Sequence, residues 1–276
     1  MKLKTFGTMF VGAVFAASLV ACGGSASSES AEASADAAEG KTYTIATDTA
    51  FAPFEYADAS NNYVGIDMEL LDAIAKDQGF DYSLNPVGFD AALQNVQAGQ
   101  ADGVIAGMSI TEEREKIFDF SEPYYDSTVC CAVKSGSDIK ALKDLKGKNV
   151  AVKNGTQSQK WADSIKDKYG FTTTTFDSSD VMYQDVDAGN SVACFEDTPV
   201  MSYAISQYAG TNGKEGKDFA IVTQVDSDSE FATPYGFAVN KGENAELLKL
   251  FNDGLANIKA NGTYDEIVNK YVKSTK

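Results

Sequence analysis

The single arginine of the chain, Arg114, ends the run Gly107-Met108-Ser109-Ile110-Thr111-Glu112-Glu113-Arg114. A guanidinium presents a rigid planar fork that matches a carboxylate with two parallel hydrogen bonds. Ser109 adds a hydroxyl, and Thr111 is placed to cap a charged helix running on from Glu112, whose free N–H groups would add partial positive charge. Together these residues predict a site for one small planar anion. The competing reading pairs Arg114 with Glu115 on a solvated face. Asp197 follows an apolar run and precedes Thr198-Pro199, where its carboxylate can hold an ammonium or simply cap the next helix. Phe51 and Phe89 sit on loops beside Pro53 and Gly88, positions that supply either ligand walls or loop-to-core packing. A carboxylate clamp, an ammonium partner and aromatic walls describe a free amino acid.

Other chemistries are excluded. Histidine is absent, which removes every Ser-His-Asp or Cys-His nucleophile system and every histidine-ligated metal site. A formal charge of −17 leaves no basic footprint for nucleic acid. Asp226, Asp228 and Glu230 alternate like calcium ligands but lack the EF-hand spacing and its turn glycine, so a solvated acidic loop is expected. No cofactor is expected. Cys130 and Cys131 are neighbours in the apolar run Val129 to Val133 and should point to opposite faces of a strand. They and Cys194 read as small buried hydrophobes, with a bridge from Cys194 to either neighbour left open.

The N-terminus reads as an export signal. Lys2 and Lys4 precede an apolar stretch from Phe6 to Val20, too short to span a bilayer comfortably. It ends Leu19-Val20-Ala21-Cys22-Gly23, which resembles a bacterial lipobox, so residues 1–21 are expected to be removed and Cys22 lipidated. An ordinary signal peptide with an incidental cysteine is the alternative. The stretch 22–40, rich in Ser, Ala and Glu, reads as a flexible tether with a reach of roughly 25 Å. The body would then sit at the outer face of the cytoplasmic membrane, held by lipid.

The elements that must position these residues alternate regularly. Thr42–Thr47, Phe80–Val87, Gly103–Met108 and Asn149–Lys153 read as strands, as do Phe171–Phe176, Ser191–Phe195, Phe219–Thr223 and Tyr235–Asn240. Helical patterns fall between them, with Trp161 on a core face. Two separate βα series in one chain suggest an α/β fold of two lobes with mostly parallel sheets. In such sheets ligands bind beyond the carboxyl ends of the strands. Those ends lead into Asp48 to Phe54, Gly88-Phe89-Asp90, Gly107 to Thr111, Asn154-Gly155-Thr156-Gln157-Ser158 and Glu196-Asp197.

Several runs also carry a family resemblance: Asp48-Thr-Ala-Phe-Ala-Pro-Phe-Glu, Gly65-Ile-Asp-Met-Glu-Leu, Gly107-Met-Ser-Ile-Thr-Glu-Glu-Arg, Phe118-Asp-Phe-Ser-Glu-Pro-Tyr-Tyr and Val152-Lys-Asn-Gly-Thr. Ala92-Leu-Gln, Asp144-Leu-Lys-Gly-Lys, Glu196-Asp-Thr-Pro and Asn261-Gly-Thr-Tyr continue it. From residue 41 onward the chain resembles the polar amino-acid-binding proteins of bacterial ABC importers, solute-binding protein family 3. The resemblance implies a two-lobe, type II periplasmic-binding-protein-like clamshell joined by a two-strand hinge. Residues 41–127 and 234–276 would form one lobe and 128–233 the other, with crossings near Ser127 and Thr233. It further implies that Arg114 and Ser109 hold the ligand carboxylate with help from Thr156. Asp197 and the Gly107 carbonyl would hold the ammonium, Phe51 and Phe89 would sandwich the side chain, and Asp48, Lys153 and Gln157 would read its tip. Ser109 stands where many relatives have threonine, which keeps the hydroxyl. The implied protein is no enzyme but a monomer that passes its ligand to permease subunits and their ATPase. Glutamine is the first expectation; glutamate or a basic amino acid is the alternative, the latter because Glu196 lies nearby. Two other readings share the fold: an exported dehydratase of prephenate or arogenate using Glu196 as general acid, and a sensory module presenting its ligand to a receptor.

Overall fold

The computed structural model describes residues 41–210 and 213–272. The expected signal peptide, Cys22 and the tether lie outside the described residues. The chain opens with β1 (Thr42–Thr47), a short antiparallel meander of β2 (Ala50–Phe51), β3 (Glu55–Ala57) and β4 (Tyr63–Val64), then α1 (Ile66–Gln78), β5 (Asp81–Pro86), α2 (Phe89–Gln97), β6 (Gly103–Val104) and β7 (Phe118–Phe120). The second series holds β8 (Val129–Lys134), β9 (Asn149–Lys153), α3 (Gln157–Tyr169), β10 (Thr172–Phe176), α4 (Ser179–Asp187), β11 (Cys194–Asp197), α5 (Thr198–Gly210) and β12 (Phe219–Gln224). The chain then returns through β13 (Ala238–Asn240) to α6 (Ala245–Ala260) and α7 (Thr263–Tyr271).

Two five-stranded sheets result, ordered β5-β1-β6-β13-β7 and β10-β9-β11-β8-β12. In the first, β1 runs parallel to β5 and β6 while β13 pairs antiparallel with β6 and β7. In the second, β9 runs parallel to β10 and β11 while β8 is antiparallel to β11 and β12. Each sheet is thus a parallel βα half extended by antiparallel strands, which corrects the expected mostly parallel sheets: the strands beside each crossing segment, β7 and β13 in one sheet and β8 and β12 in the other, pair antiparallel. The chain passes between the sheets in two segments, 121–128 and 225–237, as the α/β two-lobe reading expects.

Alternation along each strand builds the layers. Ile45 of β1 packs with Leu70, Leu71 and Phe251 beneath α1 and α6, whereas its neighbour Ala46 joins Phe89, Val96 and Val104 beneath α2. Val150 and Val152 of β9 meet Trp161 and Phe195, while Ala151 between them faces Met182 and Val186. Cys131 lies on the first of these faces and Cys130 on the second with Cys194; all three are buried and free. No helix among the described residues is long and apolar enough to cross a membrane.

One expected element is corrected. The charged helix expected from Thr111 is a single 3-10 turn, Arg114–Lys116. The N–H of Arg114 still finds the Thr111 hydroxyl at 3.2 Å, so the cap forms. The helix does not continue because Phe118-Asp119-Phe120 is drawn into β7 against β13. A turn this short supplies no helix dipole, so the anion reading rests on the guanidinium and the Ser109 hydroxyl.

Candidate functional site

The carboxyl ends of both sheets converge on a small cavity. Its walls from the first series are Phe51, Phe89, Gly107, Ser109 and Arg114, with Ala106. From the second come Lys153, Thr156, Gln157 and Asp197. Asp48, the tenth residue singled out, is bonded to Lys153 at the cavity's edge. Side chains separated by as many as 149 positions therefore meet in one place.

Backbone geometry fixes the turn beneath Arg114. Gly107 adopts φ of +51°, and an added Cβ would fall 2.5 Å from the Phe51 ring. Glycine alone satisfies both constraints. Arg114 is buried beside that turn, its guanidinium 5.3 Å from the centre of the Phe89 ring. Nη1 donates to the Ser109 carbonyl at 2.8 Å and Nη2 to the Gly155 carbonyl at 2.9 Å, so one side chain spans the two series. Two of its five N–H donors are thus engaged by protein among the described residues. Burial lowers its pKa to about 10, partly offset by Asp197 and Glu113, and it stays cationic at neutral pH.

Asp197 closes β11 from the opposite side. Its Oδ2 accepts from the Tyr235 hydroxyl at 2.6 Å, and its Oδ1 is buried without a donor. Burial, and then the neighbouring Glu196 charge, push its pKa up to about 7. An unsatisfied buried carboxylate oxygen is costly alone and is relieved by an incoming N–H donor. Tyr235, which also accepts a bond from Ser127 at 3.0 Å, was not singled out from the sequence. Only its place after Pro234 in the second crossing segment could have marked it.

Lys153 and Asp48 are each 1% exposed and form an ion pair. The ammonium lies 4.5 Å from the Phe51 ring centre and 5.7 Å from that of Phe89, a cation facing two aromatic rings. Burial disfavours the charge, but Asp48 and Glu196 outweigh that and hold the lysine pKa above its usual value. The pair is electrically neutral as a unit, yet offers strong donors and acceptors side by side. Thr156 caps α3, its hydroxyl accepting from Gln159 N at 3.1 Å and donating to the Lys153 carbonyl at 2.8 Å. That hydroxyl is therefore engaged within its own loop. Gln157 reaches the Glu230 carbonyl at 3.3 Å.

Glu196 does not face the cavity. Its carboxylate is fully buried and accepts from Ser179 at 2.7 Å, Tyr183 at 2.8 Å and the Asp197 N–H at 2.9 Å. Glu196 is thus not placed at the cavity, where the sequence reading used it as general acid or as partner of a cationic side chain. What the cavity offers is a guanidinium, an unsatisfied carboxylate, two rings and an internal ion pair. These suit a zwitterion.

Comparison with known proteins agrees in family. Residues 43–274 match the bacterial extracellular solute-binding proteins, family 3. The chain is 35% identical over 239 residues to the putative ABC transporter arginine-binding protein 2 of Escherichia coli K12, covering 86% of this chain and 93% of that one. Among solved structures, it is similar to the Lactococcus lactis GlnP substrate binding domain 2 in open conformation, at 44% identity, 85% and 97% coverage and a TM-score of 0.58. It is also similar to an ancestral arginine-binding protein bound to arginine, at 37% identity, 83% and 97% coverage and a TM-score of 0.74.

Proposed function

This chain belongs to the bacterial extracellular solute-binding proteins of family 3, the extracytoplasmic amino-acid-binding components of ABC importers and not enzymes, and from that premise we propose that its ligand is glutamine. The observation that carries this reading is the buried Lys153–Asp48 pair, whose lysine lines the cavity. A carboxamide matches it on both sides, its carbonyl accepting from the ammonium and its NH₂ donating to the carboxylate. A cationic side chain would meet the buried Lys153 ammonium between the same two rings. An anionic one would meet Asp48.

In this reading Arg114 and Ser109 take the ligand carboxylate, Asp197 and the Gly107 carbonyl its ammonium, and Phe51 and Phe89 flank its side chain. Gln157 joins the Lys153–Asp48 pair at the tip. Residues 41–127 and 234–276 form one lobe and 128–233 the other, and a bound zwitterion bridges them. Contacts across the cleft support a closed arrangement: Arg114 to Gly155, Lys153 to Asp48, Asn154 to Asp90 and Lys160 to Glu113. The greater likeness in shape to an arginine-bound relative than to an open one of higher identity points the same way. The protein works as a monomer, anchored to the membrane through lipidated Cys22 and serving permease subunits with their ATPase.

A thermal-shift panel tests the ligand. At a concentration a hundredfold above Kd, a ligand of the native state adds about 2.7 kcal/mol, which raises the melting temperature of a domain this size by roughly 5–10 °C. Glutamine should give that shift, with arginine, lysine, histidine and glutamate giving little. A shift from arginine equal to that from glutamine contradicts the assignment.

A further inference from the structure

Behind the cavity lie two carboxyls that ligand binding itself does not use. Glu55 of β3 and Asp67 in the first turn of α1 are both fully buried. Gly65 brings them together: it takes φ of +129°, and an added Cβ there would fall 2.2 Å from the Phe54 carbonyl oxygen. Asp67 Oδ2 accepts from the Gly107 N–H at 2.8 Å and from the Tyr124 hydroxyl at 2.9 Å. The remaining Asp67 oxygen and both Glu55 oxygens have no donor, and the two carboxyls are in side-chain contact. The other charges that bear on Glu55 are Asp48 and Lys153, which are already bonded to each other.

Two ionised carboxylates in contact repel each other in a medium that already penalises each charge. One proton removes both costs. It gives Glu55 an O–H that donates to Asp67, and it leaves Asp67 ionised to accept from Gly107 and Tyr124. We propose that Glu55 permanently holds a proton shared with Asp67, and that the pair acts as a positioning device for the ligand-binding turn at Gly107. Burial, then Asp67 and Asp48, push the Glu55 pKa well above the carboxylate range. Asp67 is raised by burial to about 6, restrained by its bonds from Gly107 and Tyr124. The proton accordingly resides on the glutamate. The clamp on the Gly107 N–H fixes the residue whose carbonyl is read above as an ammonium acceptor, so the functional part of the inference rests on that reading.

Infrared spectroscopy of the purified protein at pH 8 tests the proton directly. Wild type should show a protonated-carboxyl C=O band that the Glu55→Gln variant lacks; this measurement needs no ligand, so it stands apart from the choice of glutamine. Calorimetry with glutamine tests the positioning. Glu55→Gln still donates to Asp67 and should bind within about threefold of wild type, whereas Glu55→Leu leaves Asp67 short of a donor and should bind about tenfold or more weakly. Should the leucine variant not fold, the band and the glutamine variant decide. Absence of the band in wild type overturns the proposal, as does a loss in Glu55→Gln of tenfold or more.

Discussion

Replacing Arg114 by alanine removes the only guanidinium in the chain and the one side chain that donates to both Ser109 and Gly155. Truncating one member of a desolvated charge pair costs about 2–5 kcal/mol, or roughly 30-fold to several-thousand-fold in affinity. Two features of this site place Arg114→Ala toward the severe end. The guanidinium is 7% exposed, so little water replaces it in the closed cavity, and its bond to Gly155 is itself a closure contact. Arg114→Lys keeps the charge but cannot serve two carbonyls and a carboxylate with one compact ammonium, so its loss should be milder yet substantial. The melting temperature of the ligand-free protein should change little, because an open cleft rehydrates both carbonyls. The matched assay titrates glutamine and its α-carboxamide into wild type and variant by calorimetry. Wild type should strongly prefer the acid, and Arg114→Ala should lose most of that preference. Equal discrimination by both proteins would refute the carboxylate role.

Exchanging the internal ion pair as a unit, Asp48→Asn with Lys153→Gln, avoids stranding a buried charge and should weaken glutamine binding roughly tenfold to a hundredfold in calorimetry. Asp197, with its pKa raised to about 7, must be ionised to hold an ammonium. Affinity should therefore be flat above pH 7 and fall about tenfold per unit below it, measured by titration across pH 5–9. The same group favours the empty folded protein at low pH, a contribution lost as pH rises from about 4, its unfolded value, to about 7. Tyr235→Phe strips one donor from Asp197 and should weaken binding by about 1–3 kcal/mol, with wild-type circular dichroism. Cys22→Ala should abolish lipid labelling and release the protein to the medium.

The sequence announced the layers more readily than the connections among them. Thr42–Thr47 alternates polar and apolar residues as far as Ile45 and became β1; the strand ends then named the loops that meet at the cavity. Two-residue strands such as Ala50–Phe51 carry no period, so the small meander was invisible. Thr111-Glu-Glu-Arg-Glu-Lys has helical composition, but its continuation belongs to β7, a tertiary choice that no local pattern encodes. Within the site, Arg114 stood out by rarity and Asp197 by its strand end. The Tyr235 hydroxyl and the Glu55–Asp67 contact did not, because an aromatic in a crossing segment and two acids twelve residues apart resemble ordinary core and surface until packing joins them. The engagement of Glu196 by Ser179 and Tyr183 was hidden for the same reason.

The most direct test of the account is a calorimetric comparison of glutamine and arginine on protein unfolded and refolded to remove any bound amino acid. The Lys153–Asp48 pair predicts saturable one-to-one binding of glutamine, tighter than arginine by about tenfold or more, the margin set by one charge-assisted hydrogen bond. Saturable binding of arginine with no heat from glutamine would contradict it.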